Sequence, residues 1–186
     1  MRIMIRLSLV AMMMTVFTAV CFTLPAMAGD TAKLDIAADK ALKKLYANNP
    51  AAMELSKVAK GVLVFPVMRK VGLIYGGQYG EGVLRIDGKT ASYYNSITAS
   101  YGLQAGVQKF AYVLFFMDTA SLEYLNKSAG LELGVGPSVV IVDEGMAKSL
   151  TTTTTKEGIY AFTFSQKGLM AGLGIQGSKI TKINPR

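Results

Sequence analysis

Lysine and arginine are the residues through which this chain could do chemistry. Lys33, Lys40, Lys43 and Lys44 share one N-terminal segment, Lys57, Lys60, Arg69 and Lys70 fall within fourteen residues, and Lys167 and Lys179 lie near the C-terminus. Clustered cations attract anionic surfaces such as phospholipid headgroups or nucleic acid. Lys57 and Lys60 also suit the end of a helix, where a base complements the dipole. Lys33, Lys40, Lys43, Lys44, Lys60, Arg69, Lys70, Lys167 and Lys179 are the candidates for anion contact. Catalysis has little to stand on. The chain has no histidine and a single cysteine, Cys21, so the usual general base, thiol nucleophile and commonest zinc ligand are missing from the rest. Glu81, Asp118 and Glu123 are scattered, and Asp143-Glu144 before Gly145 reads as a surface turn. No loop carries oxygen ligands at calcium-binding spacing. The expectation is no catalytic residue, no cofactor and no metal; only a carboxylate dyad assembled by the fold would alter it.

Residues 1–28 resemble a secretory leader rather than fold. Arg2 and Arg6 precede an apolar stretch from Leu7 to Val20, Pro25 interrupts it, and Ala26-Met27-Ala28 supplies small residues at a peptidase site. Cleavage after Ala28 and a periplasmic location are expected. An uncleaved anchor is the alternative, although the apolar core is short for a span of roughly 20 residues. Lipidation at Cys21 is another, poorly served by Thr18-Ala19-Val20 before it. Removing 1–28 leaves eighteen basic against twelve acidic residues, a net charge of +6, and no cysteine for a disulfide. The remaining length suits one domain that buries roughly 70% of its unfolded surface. Export makes lipid the expected partner and nucleic acid an unexpected one.

The cations must be positioned by an N-terminal helical segment, 29–60, and a glycine-rich β domain, 61–186. From Thr31 to Ala47, Leu34, Ala38, Ala41, Leu42 and Leu45 form one helical face and the four lysines the opposite side, with Ile36 out of place. Such a helix either packs on a sheet or lies in a membrane interface. Asn49-Pro50 predicts a cap and first turn, with a second helix to about Ala59 and Gly61 just after it. Strands follow: Val62–Phe65 stopped by Pro66, Arg69-Lys70 as a loop, Val71–Ile86 interrupted at Gly76-Gly77, and a two-residue Asp87-Gly88 turn. Thr90–Thr98, Gly102–Val107, Tyr112–Met117, Leu131–Val135, Ser138–Val142 and an Ile159–Gln176 hairpin continue the series. Asp118-Thr119 caps a short inserted helix over Ala120–Lys127, with Leu122 and Leu125 inward. Thr151–Thr155 reads as an edge strand. The fold class is α+β: N-terminal helices on a strongly curved antiparallel sheet that curls or closes.

Glycines recur in strand contexts at Gly76, Gly77, Gly80, Gly82, Gly102, Gly106, Gly172 and Gly174. Strand interiors avoid glycine unless the sheet bends or something lies close against it. None precedes a helix that could hold a phosphate. A groove admitting an acyl chain is the functional alternative. Ala59-Lys60-Gly61, Phe65, Lys70, Gly72 and Gly80-Glu81-Gly82 resemble the opening motif of the SYLF domain. Gly102-Leu103-Gln104-Ala105-Gly106 and Asp118 resemble its middle. Tyr160, Ser165, Lys167-Gly168-Leu169, Ala171-Gly172 and Gly177-Ser178 resemble its closing motif.

The resemblance spans Ala52 to Ile180 and is to the secreted bacterial branch, with Val139–Lys156 departing from eukaryotic relatives. It implies a lipid-binding module. The actin binding known in fungi and the phosphoinositide binding of eukaryotic relatives are not carried over to an exported protein. The expected function is a non-enzymatic periplasmic module that binds anionic phospholipid at a membrane surface, with no protein partner indicated. An integral outer-membrane barrel and an envelope structural protein with incidental lipid affinity are the alternatives.

Overall fold

The computed structural model describes residues 28–101, 104–127, 130–133, 137–142, 157–172 and 175–184. Residues 1–27, the Thr151–Thr155 run, Asp143-Glu144, Gly102 and Gly174 lie outside them. Helix α1 (Ala28–Asn48) and helix α2 (Pro50–Val58) form where the periodicity and the cap place them. The Asn49 side chain accepts a hydrogen bond from the Ala52 N–H at 3.0 Å. Ala38 and Leu45 of α1 are buried, with Leu34, Ala41 and Leu42 packed around them, and Ile36 is exposed. The apolar face thus docks on the sheet, over Val62, Val64, Val83, Val113, Phe115 and Phe162. The chain leaves α2 through extended Ala59, and Gly61 opens the first strand, where Leu122 fills the space beside it.

The strands are β1 (Gly61–Gly72), β2 (Tyr75–Ile86), β3 (Lys89–Tyr101), β4 (Gln104–Phe116), β5 (Leu131–Leu133), β6 (Val139–Val142), β7 (Ile159–Gly172) and β8 (Ile175–Ile183), with helix α3 (Thr119–Asn126) between β4 and β5. They form one sheet in the order β5-β8-β3-β2-β1-β4-β7-β6. Every pairing is antiparallel except β6 with β7, so the sheet is mixed. The strands are longer than the sequence signals marked. Pro66 does not end the first one. It sits in a bulge, where the registers to β2 and β4 both slip by one residue and no ladder N–H is needed. Arg69-Lys70 is therefore strand, not loop. The turn comes later, at Leu73-Ile74, whose two positions carry neither glycine nor proline, although Gly72 and Gly76 flank it. Asp87 and Gly88, with φ of 51° and 75°, make the predicted hairpin turn.

Ile159–Gln176 is not a paired hairpin. β7 pairs with β4 and β6, whereas β8 pairs with β3 and β5. Five strand spacings separate β7 from β8 across the sheet, roughly 24 Å if it were flat. Three Cα steps from Gly172 to Ile175 reach about 11 Å at most. The sheet must curl to bring these ends together, and it forms a half-barrel. The concave side is filled by Leu63, Phe65, Met68, Leu84, Leu114 and Phe116. Gly80 and Gly82 face inward beneath Met68 and Phe65; a Cβ at Gly82 would lie 2.6 Å from Phe65 Cδ1 and 2.7 Å from the Val64 carbonyl oxygen. What lies against these glycines is the barrel's own interior. Helix α3, capped by Asp118 Oδ1 accepting from the Ser121 N–H at 2.7 Å, plugs one end with buried Leu125.

An ionic cluster fastens α1 to the sheet. Arg85 Nη2 lies 2.7 Å from Asp39 Oδ1 and 3.3 Å from Asp35 Oδ1, and its Nη1 meets Thr90 Oγ1. Asp35 also accepts from Thr90 at 2.7 Å and from the Tyr93 hydroxyl at 2.9 Å. Burial, then the bond to Asp35, pushes the Tyr93 phenol pKa up. The Arg85 side chain is only 12% exposed. Arg85→Leu is expected to cost about 1.5–3 kcal/mol, the range for hydrogen bonds to charged groups. Urea unfolding followed by circular dichroism measures it; a change below about 0.5 kcal/mol, ordinary for a surface substitution, would show that α1 docks by apolar contact alone.

Candidate functional site

Because β-strand side chains alternate, register decides which cations meet. Arg69 of β1 is paired with Lys109 of β4, and Lys109 with Lys167 of β7. All three are exposed on the outer, helix-bearing side of the sheet. Like charges directly opposite one another destabilise a sheet, yet among the described residues no carboxylate lies within ion-pair distance of any of the three.

Helix α1 crosses the strands beside this row. Asp35 and Asp39 face Arg85 on one flank. Lys33, Lys40 and Lys44 follow at helical spacing on the other flank. Lys33 shares a groove of about 310 Å³ with Arg69, Tyr79 and Glu81. Lys44 shares one of about 540 Å³ with Ser165 and Gln166, next to Lys167. The fold therefore gathers Lys33, Lys40, Lys44, Arg69 and Lys167 on one surface and adds Lys109, which sequence inspection passed over. No local signal marks Lys109; only the pairing of β4 between β1 and β7 places it at the centre.

The chain beneath this surface has a recognisable counterpart. Residues 97–184 match the family Ysc84, described as "Las17-binding protein actin regulator". This stretch is a SYLF domain. It runs from within β3 through β8, so Lys109, Lys167 and Lys179 lie inside it, and α1, α2, β1 and β2 precede it. SYLF domains are generally non-enzymatic modules that bind lipid or actin-related partners. No curated protein matches the chain.

The other candidates do not join the row. Lys43 points to solvent from α1. Lys60 is exposed at the opposite end of β1, nine residues from Arg69 and roughly 25–30 Å away at strand rise. Lys179 of the SYLF stretch lies three strands from Arg69, separated from it by Tyr79 and Ile97, and is ion-paired with Glu132 at 3.4 Å. Lys70 turns inward. With Gln78, Thr98, Gln108, Tyr112 and Ser178 it lines a concave cavity of about 450 Å³. Thr98 Oγ1 lies 3.0 Å from Ser178 Oγ. Burial pushes the Tyr112 phenol pKa up, which keeps it a neutral donor. Phe110 and Ile141 line the same cavity, so its wall sets amides, hydroxyls and an ammonium beside apolar side chains.

Tyr79, paired with Arg69, donates to Glu81 Oε1 at 2.6 Å. Burial, then the Glu81 carboxylate, pushes its pKa up to about 12, so it stays neutral beside the cations at any physiological pH. Asp118 caps α3 and Glu81 serves Tyr79. Among the described residues no three potential ligands gather for a metal.

Proposed function

We propose that this protein is a non-enzymatic periplasmic module that binds anionic phospholipid at a membrane surface through its outer, helix-bearing face. One observation carries this: Lys167, Lys109 and Arg69 stand side by side without a carboxylate partner among the described residues. Phosphodiester headgroups are the anions that a membrane offers in such rows, and the lysine flank of α1 adds to the attraction. The leader-like residues 1–28 support the compartment. The SYLF family supplies the lipid-binding precedent, while its actin partners have no place outside the cytoplasm.

An integral barrel is disfavoured, although not by strand length. β1, β2, β3, β4 and β7, at 12 to 14 residues, are long enough to span. But α1 and α2 cover the outer face that lipid would have to wet, and three cations on it would each cost about 2–4 kcal/mol at the bilayer midplane.

The test is to purify the protein from the periplasmic fraction, establish that it begins at Gly29, and co-sediment it with vesicles. Phosphatidylcholine alone is compared with a mixture rich in phosphatidylglycerol or cardiolipin, across a salt series. Binding confined to anionic vesicles and weakening with salt is expected. Equal binding to both, or to neither, defeats the proposal.

A further inference from the structure

Among the described residues, the end of the half-barrel nearest the cation row is apolar and exposed. Two residues beyond Arg69, Lys109 and Lys167 comes a second cross-strand row, Val71, Val107 and Leu169, with Leu169 88% exposed. Beyond it the β1–β2 turn presents Leu73 at 74%, Ile74 at 54% and Tyr75 at 76% exposure. Tyr75 packs against Tyr101 with ring centroids 5.1 Å apart. A contiguous exposed apolar patch marks an interaction site rather than ordinary surface.

We propose that this rim, led by Leu73 and Ile74, enters the acyl region of an anionic bilayer while the Arg69–Lys109–Lys167 row rests on its headgroups. The inference rests on the lipid-surface function proposed above and gives it a docking orientation. Charge placement selects the occupant. The cations border the patch on the side toward the body of the protein, as anchors do where protein leaves a membrane. From the cation row to the turn is roughly 13 Å along the strand, enough to reach the roughly 5–10 Å depth of interfacial segments. A second copy docked rim to rim about a two-fold axis would instead bring two cation rows toward each other.

The chain has no tryptophan, so Leu73→Trp gives a reporter without background. Its emission is expected to shift to the blue, and to be quenched by brominated acyl chains, on phosphatidylglycerol vesicles. Trp at exposed Ala91, beside the Asp87-Gly88 turn at the other end of the sheet, is expected to do neither. Leu73→Ser with Ile74→Ser is expected to keep the circular dichroism spectrum, because both side chains are already in water. It is expected to lose the binding that survives high salt, by roughly tenfold or more per side chain. Vesicle binding with Leu73→Trp still emitting as in water overturns the rim proposal and leaves the lipid-surface function standing. No vesicle binding by the unaltered protein overturns both. A lipid-free dimer that Leu73→Ser dissolves assigns the rim to a second copy and also overturns the proposal.

Discussion

Replacing Arg69, Lys109 and Lys167 together by glutamine is expected to weaken binding to anionic vesicles by roughly 100-fold. Each cation near an anionic leaflet contributes about 1 kcal/mol, and three acting in one row give about 3 kcal/mol, a little over two decades in affinity. The salt dependence should flatten with the loss, since fewer charges remain to be screened. Stability should not fall, because the row holds like charges opposite one another and its removal relieves repulsion. The comparison that isolates position from net charge is Lys60→Gln, Lys89→Gln and Lys182→Gln, three exposed cations away from the row. It removes the same charge and should leave most of the binding. Equal losses in the two triple variants would mean that the whole protein's field, not this row, attracts the membrane.

Gly168→Ala is expected to destabilise the protein by about 2–5 kcal/mol. Gly168 has φ of 95°, which side chains of L residues rarely adopt, at about 1–2 kcal/mol. A Cβ there would also overlap the carbonyl oxygen of Val107 on the neighbouring strand and sit 3.3 Å from Gln108 Cα. Backbone cannot rotate away as a side chain tip can, and forced repacking of this kind adds about 1–3 kcal/mol. At roughly 2–4 °C per kcal/mol for a domain of this size, the melting midpoint should drop by about 4–20 °C. The β7 bulge between Phe164 and Lys167, where Ser165 has φ of 59°, sets the register that puts Lys167 beside Lys109. The folded fraction of this variant should therefore also bind anionic vesicles less well. A midpoint within about 2 °C of the unaltered protein would show that β7 can take another path here.

Features of short range were legible in the chain. Asn49-Pro50 and Asp118 cap helices, Asp87-Gly88 turns a hairpin, and Leu34, Ala38, Ala41, Leu42 and Leu45 mark the buried face of α1, because each depends on neighbours within a turn or two. The order of motifs from Tyr160 to Ser178 was enough to indicate the SYLF domain. Pro66 misled because a proline's missing N–H ends a strand only where the ladder needs that donor, and a bulge does not. The Ile159–Gln176 segment misled because two strands joined by a tight connection usually pair, whereas here a curled sheet brings the ends of β7 and β8 together without pairing them.

By itself the sequence determined the helices and their caps, the Asp87-Gly88 turn, the α+β class, the excess of cations and the absence of histidine, all properties of composition and local spacing. Which cations stand together was decided only by tertiary structure. Arg69, Lys109 and Lys167 are separated by 40 and 58 positions along the chain and meet because β4 lies between β1 and β7 in register. Arg69 and Lys70 are neighbours in sequence, yet one joins this row and the other lines the concave cavity, since a strand sends successive side chains to opposite faces. The bareness of Leu73 and Ile74 is likewise a fact of the fold: an apolar run looks like core until the sheet ends and leaves its turn in solvent.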